Sequence, residues 1–354
     1  MKVLFSSLLI ILICICCIDK KENIYIGDMR YISSFKDTLY LDGKPVEIDN
    51  LGAMTIDVVD TFFVFVGSQW DNFYQVYSKY SCQRVGSFVP KGRGRNELPT
   101  VGFPIFCTGK GNNAVVGLHD RASNSVKMLN LSQSVTQRRT VFEENWIEIK
   151  HVPGFKYLYP INDSILFLHG WNMALRNDYY ALYHISDENI TILDTIYRSE
   201  LQDPGDMFLF NAFAGFHLKK QKYATAMQFF NQINIYSLDK EYGKNIALTV
   251  GTDVNRLKDV EETAMPDKFE FYEDMVCTDS LLFAIYANKS RKDWAMMETL
   301  PVDIHVFDWE GNPICLLHVK EKLAKLAIDE EEGILYGMTL GEKVYKYDMT
   351  GVIN

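Results

Sequence analysis

The amino-acid sequence predicts an all-β protein: a six-bladed β-propeller of four-stranded antiparallel blades, with its ring closed by an N-terminal strand. Three observations carry this prediction. A turn followed by a short apolar strand recurs at roughly 50- to 60-residue intervals, the spacing of a repeat array. A second series of strands interleaves with the first and alternates apolar and polar residues, the mark of a half-buried strand. Aromatic residues make up 13% of the 354-residue chain, with 20 Tyr and 22 Phe, and planar side chains suit a pleated surface.

The first series comprises Thr61–Gly67, Ala114–His119, Ser164–Gly170, Tyr223–Phe229, Leu281–Ala287 and Ile334–Thr339. Each follows turn-forming residues: Asp60, Asn112-Asn113, Asn162-Asp163, Lys220-Gln221, Thr278-Asp279, and an acidic run ending at Gly333. The second series is Val76–Ser81, Val126–Ser132, Ala181–Ser186, Ile233–Asp239, Ile304–Asp308 and Val344–Asp348. Further strands follow at Ile190–Tyr197 and Pro313–Val319. Two stretches break the pattern: Asp253–Met265 has helical composition, and Asn288–Pro301 is a long insertion within the fifth unit. The last unit, from Leu323, runs out before a fourth strand, whereas Thr38–Ile48 is a spare strand near the front. Pairing the two would close the ring and remove an exposed edge. A β-sandwich or a pair of β-domains would also use such strands, but no Pro/Gly/Ser-rich linker interrupts the period.

The N-terminus carries an export signal. Lys2 is followed by an almost wholly apolar run from Val3 to Ile15, which is shorter than the roughly 20 residues of a spanning helix and has the length of a signal-peptide core. The run ends in Cys14-Ile15-Cys16-Cys17 and passes into Asp19-Lys20-Lys21-Glu22, with no small-residue cleavage site of the Ala-x-Ala kind. This resembles a bacterial lipobox, which implies lipid attachment at Cys17, with Cys16 as the second choice and an uncleaved anchor as the alternative. The expected organisation is a lipoprotein signal peptide over 1–17, a tether over 18–30 and the propeller over 31–354. The expected location is the bacterial cell envelope, held to a membrane by the lipid. Cys82, Cys107, Cys277 and Cys315 lie in separate strand-like runs and read as buried free thiols rather than as two disulfides.

The connector Gly92-Arg93-Gly94-Arg95-Asn96-Glu97-Leu98 resembles the glycine-rich connector of NHL-type and TolB-like six-bladed propellers. The segment Val306–Pro313, with Leu326–Asp329 and Gly333–Gly337, looks like the terminal blades of TolB-like propeller lipoproteins of Gram-negative bacteria. The resemblance runs from about Met29 to the end. Its motifs are turn signals, so it implies fold and envelope location and leaves the chemistry open.

Few residues suggest a site. Arg93, Arg95 and Glu97 could clamp an anion, since guanidinium groups fork onto carboxylate or phosphate, or could tie neighbouring blades together. His119 and His169 hold equivalent places in consecutive units, and Trp171, like Trp70 and Trp294, falls in a predicted loop. The sequence lacks a His-Glu-x-x-His pair, a Gly-x-Ser-x-Gly elbow and a phosphate-binding Gly-Lys-Ser/Thr loop, and beyond the signal region it has no Cys-x-x-Cys. It names no catalytic residue, metal or cofactor. A net charge of −10 argues against nucleic acid as a partner. The reading is a monomeric, non-catalytic binding module for a protein or a glycan, against the alternative of a propeller enzyme acting on envelope molecules. Replacing Cys17 with serine, alone or with Cys16→Ser, is expected to abolish incorporation of radiolabelled palmitate. Full labelling of the double variant would overturn the lipobox assignment.

Overall fold

The computed structural model describes residues 27–144, 147–152, 154–172, 174, 177–198, 209–239, 244–251, 257–297 and 299–353. The signal region and Cys17 lie outside the described residues. No helix among them is long and apolar enough to cross a membrane.

Three short strands come first: β1 (Asp28–Ile32), β2 (Asp37–Leu41) and β3 (Lys44–Val46). Blade one is β4 (Thr55–Val59), β5 (Phe62–Val66), β6 (Asn72–Ser78) and β7 (Arg84–Pro90). Blade two is β8 (Pro104–Thr108), β9 (Val115–Asp120), β10 (Ser125–Asn130) and β11 (Ile147–Glu148). Blade three is β12 (Phe155–Asn162), β13 (Ile165–Asn172), β14 (Asn177–His184) and β15 (Asn189–Arg198). Blade four is β16 (Ala212–His217), β17 (Lys222–Met227), β18 (Ile233–Ser237) and β19 (Ile246–Val250). Blade five is β20 (Phe269–Cys277), β21 (Leu281–Ser290), β22 (Val302–Asp308) and β23 (Pro313–Val319). Blade six is β24 (Leu323–Asp329), β25 (Ile334–Thr339) and β26 (Val344–Asp348), with β3 as its fourth strand. The first strand of each blade is innermost. β16, β20, β24, β4, β8 and β12 are neighbours around the axis, and the Tyr157 and Tyr159 hydroxyls donate to the Ala212 and Ala214 carbonyls across the step from blade three to blade four.

The ring closes through the N-terminal segment. Lys44, Pro45 and Val46 pair antiparallel with Lys346, Tyr345 and Val344. The same segment has already added β1 in parallel outside β19 and β2 in parallel outside β23. Residues 28–46 therefore run as a belt along the outer edges of blades four, five and six. The sequence reading put all of Thr38–Ile48 on the final blade, and the structure corrects this. Leu39 and Leu41 face Leu317 and Val319 of blade five, and only the residues after Asp42-Gly43 reach blade six. At Gly43 the backbone passes so close to the Tyr347 ring that a Cβ would stand 2.9 Å from it, so the glycine lets the chain step between blades.

Alternation along the strands explains the packing. Six hydrophobic clusters occupy the six blade junctions. In blade one, Val64 and Val76 pack toward blade two, while Phe65 and Tyr77 pack toward blade six. Trp309, fully buried at the end of β22, fills the junction of blades four and five and donates its indole N–H to the Thr278 carbonyl at 3.0 Å. The second blade departs from the pattern read in the sequence. Its third strand stops at Asn130, not Ser132, because the Asn130 side chain accepts from the Gln133 N–H at 2.8 Å and caps a helix, α1 (Leu131–Gln137). The expected helix near 253–265 is α2 (Leu257–Glu262), and the fifth-blade insertion carries α3 (Arg291–Met296). The four body cysteines are free.

Deleting residues 28–46 removes the closing strand and uncovers the edge of β26. The deletion is expected to lower the melting temperature by at least about 5 °C. An unchanged melting temperature would show that closure does not depend on the belt.

Candidate functional site

The innermost strands bring one side chain from every blade to the axis. Asp57 comes from β4, Cys107 from β8, Tyr157 from β12, Phe213 from β16, Asp274 from β20 and Lys325 from β24. All six are half-buried. They form a collar of two carboxylates, one ammonium, a phenol, a thiol and a phenyl ring. Lys325 Nζ stands 3.6 Å from Asp274 Oδ1 and 4.9 Å from the centre of the Phe213 ring. The backbone N–H of Leu326 donates to Asp274 Oδ2 at 2.8 Å. Asp57 has no hydrogen bond or ion pair among the described residues.

The collar is electrostatically strained. Burial, reinforced by the Asp274 charge and opposed by Lys325, pushes the Asp57 carboxyl up to about 7. Burial also raises Asp274, against the pull of Lys325 and two backbone N–H groups. Burial raises the Tyr157 hydroxyl with help from Asp274, and the Cys107 thiol with help from Asp57. Above the collar, burial and then Glu270 raise the Glu273 carboxyl. Glu270 itself accepts from Gln228 Nε2 at 3.0 Å and lies 3.7 Å from Arg291 Nε. Among the described residues, no three His, Cys, Asp or Glu side chains come together as a metal-binding group. An axial pair of carboxylates with raised pKa values beside an ammonium can hold a polar ligand or exchange a proton with it.

The residues singled out in the sequence lie elsewhere. Arg93 and Arg95 are exposed on the connector between blades one and two. Glu97 Oε2 accepts from the Gly94 N–H at 2.9 Å, and a Cβ at Gly92 would stand 1.8 Å from that oxygen, so the glycines accommodate the glutamate. His119 lies on β9, 3.2 Å from Asn124 Oδ1, with its ring 4.2 Å from that of Phe155 in blade three. His169 on β13 is fully buried: Nδ1 meets Tyr223 Oη at 2.8 Å, and Nε2 meets Asp178 Oδ2 at 2.9 Å. Lys156 Nζ, 2.6 Å from the same Asp178 oxygen, completes a polar junction between blades three and four. Burial lowers the His169 pKa, with Asp178 opposing, which keeps the ring neutral. Trp171, expected in a loop, lies within β13 and is half-buried over Gly154; Trp70 donates to the Leu51 carbonyl at 2.7 Å; and Trp294, also expected in a loop, is buried on α3. Sequence reasoning missed the collar. Its one available signal was a polar residue in an otherwise apolar first strand, as in Thr55-Ile56-Asp57-Val58-Val59.

Comparison with known proteins follows the geometry. A family model described as TolB-like 6-blade propeller-like matches residues 53–331. No curated protein matches the chain. A solved member of the DUF4221 family from Bacteroides vulgatus aligns with a TM-score of 0.53 at 10% identity, covering 87% of this chain and 97% of that one. A Bacteroides fragilis protein whose description suggests export aligns with a TM-score of 0.53 at 12% identity, over 90% of this chain and 99% of its own. At such identities the likeness speaks for the fold alone.

The raised Asp57 carboxyl has a consequence for stability. The folded chain holds that proton up to about pH 7, the unfolded chain only to about pH 4. Asp57 therefore supports the fold fully below about pH 4, and this contribution is lost as the pH rises through about 7. Asp57→Asn is expected to melt like the parent near pH 4 and to be more stable near pH 8, by on the order of 1 kcal/mol. Parallel profiles across that range would mean that Asp57 ionises normally.

Proposed function

As this chain belongs to the TolB-like six-bladed propeller family, we propose that it is a lipid-anchored module of the bacterial cell envelope that binds its ligand non-catalytically in the axial channel. The observation that carries the proposal is that Asp57, Cys107, Tyr157, Phe213, Asp274 and Lys325, one from each blade, interact with one another across the innermost strands. A polar collar with apolar walls orients a ligand by a few groups and holds it by contact. The lipobox-like Cys16-Cys17 and the charged run Asp19-Lys20-Lys21-Glu22 behind it support attachment to a membrane. Arg93, Arg95 and Glu97 on the connector, and Trp171, stand as contacts for a larger partner around the ring.

A second reading is favoured by one specific observation. Asp57, raised to about 7 beside Lys325 and Asp274, has the character of a general acid or base. An enzyme acting on envelope molecules would use such a group. Native mass spectrometry of the protein purified from envelopes distinguishes the two readings. Binding is expected to give an adduct that is lost in Asp57→Ala and returns with unchanged mass after re-incubation with fresh protein. Conversion of the released molecule to a new mass would replace binding with catalysis. An adduct indifferent to Asp57→Ala would remove the channel as the site.

A further inference from the structure

Reading the channel as the ligand site, we infer that the ligand presents a protonated amine or guanidinium group, so that the collar is an organic-cation site. The argument starts from charge. Asp57, Asp274 and Glu273 all interact with the Lys325 ammonium, while Lys322, held by the Trp294 and Met297 carbonyls, faces Glu273 and Glu270 on the other side. Lys325 lies beyond hydrogen-bond reach of its nearest carboxylate oxygen and partly over the Phe213 ring. Lys325 pairs with Asp274, which leaves the Asp57 carboxylate with no cation within ion-pair distance among the described residues.

Hydrogen bonding points the same way. Buried acceptors ordinarily find donors. Here Thr55 Oγ1 is buried with no partner, Glu273 Oε1 has no N–H or O–H donor and its carboxyl lies against that of Glu270, and the Asp57 carboxylate has no hydrogen bond among the described residues. Thr55 and Asp57, two residues apart on β4, share a strand face. The unfilled oxygens thus belong to β4 and β20, on either side of the Lys325 strand. The missing partner has to bring N–H donors and positive charge together. An ammonium offers three donors and a guanidinium five in one plane, so either can serve acceptors spread over neighbouring strands. The Phe213 ring already seats one ammonium, Lys325, 4.9 Å from its centre, so the collar offers an aromatic face to cations. An anion would meet three carboxylates and gain only a lysine already engaged. The raised carboxyls are what an uncompensated site of this kind produces, and a bound cation would lower them again.

Calorimetry on the full-length protein tests the inference with three probes: agmatine, which carries an amine and a guanidinium, glutarate as the anion and 1,4-butanediol as the neutral control. Agmatine is expected to bind near pH 8, with proton release, and at least about tenfold more weakly near pH 5, where Asp57 is protonated. Asp57→Asn and Glu273→Gln are each expected to weaken it by about tenfold or more, and Lys219→Ala, outside the channel, to leave it unchanged. If glutarate or butanediol binds in an Asp57-dependent way and agmatine does not, the cation inference falls while the channel remains the ligand site. If agmatine binds equally well to both carboxylate variants, or no probe binds at all, the inference is overturned. In the last case, loss of the envelope-derived adduct in Asp57→Ala still decides separately whether the channel is a site.

Discussion

Blades that are apolar on both faces have to bury both, and the rest of the molecule depends on this constraint. Val64 and Phe65 are adjacent in sequence, point to opposite sides of blade one, and are both fully buried. A single blade, or a linear stack of six, would leave at least two such faces in water. A closed ring leaves none, because each blade's two faces meet two neighbours and the six hydrophobic clusters fall one to a junction. At about 25 cal/mol for each Å² of apolar surface removed from water, these junctions dominate the folding energy.

Closure then becomes a requirement on the chain ends. Blade six has only three strands of its own, and β3 provides the fourth from the other end of the sequence. The belt is longer than closure alone requires. Before reaching blade six it has paired with β19 and β23, so the same short segment ties three consecutive blades together along their outer edges. The buried junction residues add polar ties at right angles to this. His169, Asp178, Lys156 and Tyr223 connect blades three and four through the interior.

The same geometry creates the candidate site. Radial blades converge on their first strands, so any polar residue there is drawn toward the axis and away from bulk water. Asp57, Asp274 and Glu273 are costly in that position, and their raised carboxyls reflect the cost. The apolar junctions are strong enough to hold them there. A carboxylate such as Asp57, held at the axis without a hydrogen bond or ion pair among the described residues, is a mark of a site built for something other than stability.

Period and alternation were legible in the sequence because they are local. The strands Ile334–Thr339, Val344–Asp348 and Pro313–Val319 follow from the apolar pattern and flanking turns, and a last unit lacking one strand pointed to closure from the front. The end of β10 at Asn130 was not legible, since a capping asparagine and a turn asparagine look alike until the helix after it is seen. Nor could the sequence divide the belt between blades five and six, a division that depends on how Gly43 passes the Tyr347 ring, some 300 residues away in the chain. The collar lies furthest from sequence reasoning. Each of its members is an unremarkable residue in its own strand, and no spacing links Asp57 to Asp274 or Lys325. The sequence by itself determined that strands would form, which faces would be apolar and that six units would need one another. Only the tertiary structure decided which polar side chains would meet at the axis, because that meeting results from the radial packing of all six blades and has no counterpart in any local run of residues.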